Sequence, residues 1–239
     1  MVRFLRRSRQ RQVNALSIAR HEAVRLWCRP DRNGEKVFCI GRNKTGTTTL
    51  AATLRELGYR VAPQRRAEII ADNACLRGDF DSLVDFCGYY EAFQDAPFSW
   101  PGAYRVLDRE FPNAKFLLSV RDSPDQWYES LLRFHAKMFG QGGNLPTMED
   151  LKKAEYVHPG FIYRSQAGWG HACSQSLYDR GCLVQSYVDY NSSVERYFSG
   201  RPGKLLIINV ARPQDCERLC VFLGRGPKCI DGFPWENKT

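Results

Sequence analysis

The chain has 239 residues, 43% of them hydrophobic and 26% charged, the balance of an ordinary soluble globular protein. No apolar run is long enough to cross a bilayer, and the mean hydropathy of −0.46 agrees. A surplus of 35 basic over 26 acidic residues, net +9, points to an anionic partner without choosing among nucleic acid, membrane surface and phosphorylated ligand.

Most of that charge lies at the start. Residues 1–32 hold nine arginines against Glu22 and Asp31, a net of +7. Within them, Val13 to Trp27 reads as a helix with Leu16, Ala19, Ala23 and Trp27 along one stripe, expected to dock on the folded unit. Pro30 to Gly34 then breaks it. The arm lacks the apolar stretch of a secretory signal, while organelle targeting, or contact of the arm with an anionic or membrane surface, stays open. Nine cysteines, an odd number without the dense spacing of a disulfide scaffold, read as reduced and mostly packed, which favours a cytoplasmic location. Cys216 and Cys220 read as core-facing rather than as metal ligands.

From Lys36 onward short apolar runs alternate with helical patterns. Val37 to Ile40 forms a strand and Thr47 to Leu57 a helix stopped by Gly58. Tyr59 to Ala62 and Gly88 to Gln94 follow as strands. Phe116 to Val120 is a buried strand of the parallel type, followed by a helix from Pro124 to about Lys137. Leu205 to Val210 is the last strand, and Asp215 to Leu223 the last helix. The alternation predicts an α/β fold of three layers, a mainly parallel sheet with helices on both faces, of the P-loop-like nucleotide-binding kind. We expect residues 33–239 to form a single domain with a glycine- and aromatic-rich insertion or lid around 140–170.

The most informative segment is Gly41-Arg42-Asn43-Lys44-Thr45-Gly46-Thr47-Thr48-Thr49, set between a buried strand and a helix. Glycines permit a tight turn, the free N–H groups and dipole of the helix start attract anions, and Lys44 and the threonine hydroxyls add donors. It is not a Walker A loop, because Thr47 stands where that motif has its lysine. Asp122 could imitate a Walker B carboxylate, but Arg121 before it would place a cation where magnesium belongs. A site for anions without metal is expected.

Lys44-Thr45-Gly46-Thr47-Thr48 after a strand resembles the 5′-phosphosulfate loop of sulfotransferases that use 3′-phosphoadenosine-5′-phosphosulfate (PAPS). The stretch from Val120 to Ser130 is similar to that family's 3′-phosphate motif, with Arg121 and Ser130 at the matching positions. Leu219 to Asn237 adds a weaker likeness, so the resemblance runs from about Lys36 to the C-terminus. It implies a PAPS-dependent enzyme that passes a sulfuryl group to a hydroxyl or amine of a small-molecule or glycan acceptor. PAPS would be held by Lys44, Thr45, Gly46, Thr47, Thr48, Thr49, Arg121 and Ser130. Two departures stand out: Thr49 replaces the adenine-stacking Trp of the animal-type enzymes, and the interval from Arg121 to Ser130 is one residue longer than usual.

Lys44 fits the cation that stabilises the leaving oxygen. The acceptor also needs a base, which other branches of the family supply as His or a carboxylate at the end of the neighbouring strand; Asp95 holds that place, with Glu91 as the competitor. His135, His158 and His171 read as packed or surface residues. Two other classes compete with the sulfotransferase: an atypical phosphate-loop kinase or nucleotide-binding transferase, and a non-catalytic nucleotide-binding adaptor.

Overall fold

A computed structural model describes residues 2–169, 176–226 and 229–234. Four parallel strands, β1 (Val37–Cys39), β2 (Ala92–Gln94), β3 (Lys115–Ser119) and β4 (Leu205–Ile208), lie in the order β2-β1-β3-β4. Their apolar runs are buried because each face is covered. Phe38 and Ile40 point to one face, where Phe38 stacks on Phe93 and Phe116 at 4.7 and 5.6 Å. Val37 and Cys39 point to the other face and pack on Leu50, Leu54 and Leu219.

The second face is covered by α2 (Thr47–Glu56) and α10 (Gln214–Phe222). Residues of α3 (Gln64–Asn73), α4 (Asp81–Cys87), α5 (Ala103–Glu110) and α9 (Arg180–Phe198) join the core of the first. The three-layer parallel α/β fold expected from the alternating pattern is therefore present. The chain leaves β1 for β2 on one side and returns to β3 on the other, the topological switch point at which open α/β sheets bind ligands beyond their strand ends.

Two expectations change. Tyr59 to Ala62 makes a single bridge, Val61 to Ala92, rather than a strand. The β2 strand is only three residues long, because Gly88 to Tyr90 continues out of α4 as a turn. Within the segment expected as an insertion or lid, α7 (Met148–Lys153) and α8 (Phe161–Gly168) pack on each other, and α8 packs on α3.

The cysteines also depart from the reduced state expected of them. Cys220 and Cys229 form a disulfide, and Cys182 is disulfide-bonded as well, while Cys39, Cys75, Cys87 and Cys216 are free and buried. Such bonds persist in oxidising compartments, so the cytoplasmic expectation loses its premise. Among the described residues no helix is long and apolar enough to cross a membrane.

The amino-terminal helix α1 (Val2–Trp27) docks as expected, through its more polar face. Gln10, Asn14, Ser17, His21 and Val24 turn inward at three- and four-residue spacing, and the helix lies on α3. The Asn14 side-chain amide donates to the Val157 carbonyl at 2.6 Å. His21 is buried 3.2 Å from the Tyr90 hydroxyl, and desolvation lowers its pKa to about 4. The stripe of Leu16, Ala19, Ala23 and Trp27 faces solvent.

Candidate active site

The loop between β1 and α2 is fixed from several sides. Gly41 lies against β3 so closely that a Cβ there would sit 2.1 Å from the Ser119 hydroxyl and 2.5 Å from its carbonyl oxygen, which only glycine avoids. The Thr45 hydroxyl lies 2.6 Å from both the Arg42 carbonyl and the Ser119 hydroxyl, so it is spent on the loop itself. Arg42 is wholly buried, donates to the Trp169 carbonyl and the Ser186 hydroxyl, and lies over the Tyr190 ring. It is a strut behind the loop. The carbonyls of Asn43 and Lys44 accept from the Trp127 indole at 2.9 Å and from Arg121 Nε at 2.6 Å.

Gly46, left-handed at φ +97°, opens α2, whose start carries no side-chain cap. Its first-turn amides are thus open to an anion. This helix start and Lys44 face a cavity of about 710 Å³, the size of a small-molecule site. Lys44, Gly46, Thr47, Thr48 and Thr49 line it from the loop, Asp95 from the end of β2 and Arg121 from the end of β3. Because β2 and β3 flank β1, the anion loop stands between a carboxylate and a guanidinium.

Among the described residues, Lys44 (φ 67°) and Asp95 (φ 62°) are the two non-glycine positions with left-handed backbone, and both face this cavity. Strain of this kind persists where the surroundings hold it in place, and it gathers at functional sites. The Asp95 carboxylate accepts from the Ala96 N–H at 2.8 Å and from the Thr47 hydroxyl at 3.4 Å. Burial raises its pKa against the pull of these bonds and of Lys44. Lys44 Nζ lies 4.2 Å from the centre of the Phe134 ring, and desolvation lowers its pKa.

Several residues from the sequence reading fall outside the cavity lining. Thr45 is buried behind the loop. Ser130 is buried on α6 (Pro124–Phe139) with a hydroxyl that finds no protein partner. Glu91 precedes β2, at the far end of the strand from Asp95, and accepts from the Arg60 N–H. Asp122 is also turned away, held by Asn209 and Arg212 at 2.9 Å each, so it stands in no Walker-type position. His158 is bound to Asp72, and His171 lies outside the described residues.

His135 does line the cavity, its Nδ1 2.9 Å from the Tyr178 hydroxyl, and burial lowers its pKa to about 4. Other lining residues had no motif to announce them. Arg133 and Lys137, four apart on α6, add two cations. Gln64 and Glu68 come from α3, and Tyr156, Phe161 and Trp169 form an aromatic wall. Burial pushes the Glu68 pKa up to about 7, opposed by Arg65 at 3.3 Å and by the Tyr156 hydroxyl.

An uncapped helix start, four cations and a threonine-lined loop suit a small polyanion, and the aromatic wall leaves room for a second, less charged molecule beside it. Among the described residues no group of His, Cys, Asp and Glu is placed to hold a metal ion. The site thus lies at the switch point of a parallel α/β sheet, where open sheets of this class bind ligands. Residues 36–239 match the family model described as a sulfotransferase domain, and the chain belongs to that family of sulfuryl-transferring enzymes. No curated protein matches it.

Proposed function

We propose that the chain transfers a sulfuryl group from PAPS to a hydroxyl or amine of a small-molecule or glycan acceptor, leaving 3′-phosphoadenosine-5′-phosphate. The observation that carries this reading is the meeting of Lys44 and Asp95, both in strained backbone, on one cavity with Arg121 and the uncapped start of α2. When bound, PAPS supplies an activated sulfuryl group on a good leaving phosphate.

The chain's own residues do the rest. The first-turn amides of α2 and the Thr47 and Thr48 hydroxyls hold the 5′-phosphate, with Gly46 opening the turn and Thr49 closing the wall. Arg121 takes the 3′-phosphate through the two terminal nitrogens left after Nε is committed to the Lys44 carbonyl. Ser130 belongs to this set only if a small turn of α6 brings its unpartnered hydroxyl forward. Lys44 places its ammonium where the departing oxygen gains charge, within a desolvated wall that strengthens the interaction. Asp95 accepts the acceptor's proton as the new S–O or S–N bond forms, and its raised pKa makes it a better base than an exposed carboxylate. Residues 33–239 form the transferring unit, and residues 1–32 lie outside it.

Incubation with PAPS and a panel of phenol, sugar and amine acceptors tests the reading. Release of 3′-phosphoadenosine-5′-phosphate that depends on one acceptor class supports it. PAPS left intact with every class, by protein that keeps its thermal transition, counts against it.

A further inference from the structure

An amphipathic helix normally buries its apolar stripe, and α1 does the reverse. Its inner stripe ends in Val24, which packs on the core, but Gln10, Asn14, Ser17 and His21 before it are polar and incompletely satisfied: Gln10 Nε2, Asn14 Oδ1 and Ser17 Oγ find no partner. Leu16, Leu26 and Trp27 are 60%, 82% and 89% exposed, and Ala19 and Ala23 lie exposed between them at helical spacing. Arg20 borders this stripe on one side and Arg11 on the other, while Arg9 lies in line with it about two turns before Leu16, all exposed. Glu22, 3.6 Å from Arg25, is the one acidic residue between positions 2 and 30.

We propose that α1 lies flat on an anionic bilayer, with Leu16, Ala19, Ala23, Leu26 and Trp27 dipping below the headgroups while the flanking arginines meet lipid phosphates and carboxylates. Charge selects this occupant. A second copy of the chain docked through the same stripe would set two arginine arrays face to face. A nucleic acid would satisfy the arginines but leave adjacent Leu26 and Trp27 in water. An in-plane membrane helix uses both features, since apolar side chains enter the interface, Trp anchors at headgroup level and arginines reach outward to the headgroups. The polar inner stripe then has a plain reason: it faces a protein surface that presents the Val157 carbonyl and the Tyr90 hydroxyl, and the apolar side is left free for lipid.

Sedimentation of the full chain with vesicles of roughly 70% phosphatidylcholine and 30% phosphatidylserine, against pure phosphatidylcholine, reads the proposal directly. The chain should sediment with the anionic vesicles and not with the neutral ones. Leu16→Asp and Trp27→Ala, both at exposed positions, should each lower the partition coefficient about tenfold or more without moving the thermal transition. Arg9→Gln and Arg20→Gln should each lower it about fivefold, with high salt having a similar effect. Absence from both vesicle types overturns the proposal. So does vesicle binding that survives Leu16→Asp and Trp27→Ala, which would mark a purely electrostatic contact. Self-association that Leu16→Asp abolishes, in protein that ignores vesicles, would assign the stripe to a second copy instead.

Discussion

Replacing Asp95 with Asn removes the proposed base while preserving its shape. The amide oxygen can still accept from the Ala96 N–H at 2.8 Å, and the Thr47 hydroxyl, 3.4 Å away, can rotate to meet the new NH2 group. Backbone placement should hold, because asparagine tolerates the left-handed conformation about as well as aspartate. The change is therefore confined to proton acceptance. Loss of a positioned base costs a factor of about 10² to 10⁴, or roughly 3 to 5 kcal/mol of transition-state stabilisation. Stability should move the other way. Burial raises the Asp95 pKa, so the folded state favours the protonated carboxyl, and native stability is lost as pH rises through that raised value. Asparagine has no charge to desolvate, so at neutral pH the variant should melt no lower than the parent. Initial rates of 3′-phosphoadenosine-5′-phosphate release across mildly acidic to alkaline pH, beside thermal melts, read both effects. In the parent, activity should fall on the acid side at a pH above the ordinary aspartate range. An Asp95→Asn protein that turns over within about threefold of the parent with the same acid limb refutes the assignment.

Arg121→Ala should raise the apparent donor KM about tenfold to a hundredfold with a smaller effect on kcat, as expected for a charge-assisted contact made equally in ground and transition states; steady-state kinetics in donor concentration separate the two. Glu68, with its pKa pushed up to about 7, is stabilising while protonated and loses that contribution as pH rises from about 4.5 through 7. Glu68→Gln should therefore be more stable than the parent above pH 7, by about 3 kcal/mol, and equal to it near pH 4, as measured by denaturant melts at each pH. Cys220 and Cys229 are nine positions apart, so replacing both with serine, which leaves the Cys182 bond in place, should lower stability by about 2 to 3 kcal/mol in denaturant melts, with non-reducing mass spectrometry of the parent reporting the linked peptides.

The loop from Gly41 to Thr49 was legible because its pattern is local: an apolar run, two glycines, a lysine and threonines must adjoin to form a strand, a turn and a helix start. Arg121 was legible for the same reason, lying directly after a buried strand. Asp95 followed from topology, since the ends of parallel strands share one edge. Glu68, Arg133 and Lys137 carried no such signal. Their place in the cavity comes from how α3 and α6 pack, which a single helix pattern does not encode. Which face of α1 docks was not legible, for a physical reason. Periodicity identifies an apolar stripe but not what covers it, and here the protein surface offers Tyr90 and the Val157 carbonyl to the helix's polar side. The disulfide was missed because nine scattered cysteines without dense spacing resemble buried thiols, and four of the described ones are indeed that.

Calorimetric titration with 3′-phosphoadenosine-5′-phosphate, beside magnesium–ATP, reads donor-site recognition itself. The bisphosphate should bind the parent saturably and bind Arg121→Ala more weakly by about tenfold or more, with no comparable binding of magnesium–ATP. Binding of magnesium–ATP with none of the bisphosphate would contradict the proposed function.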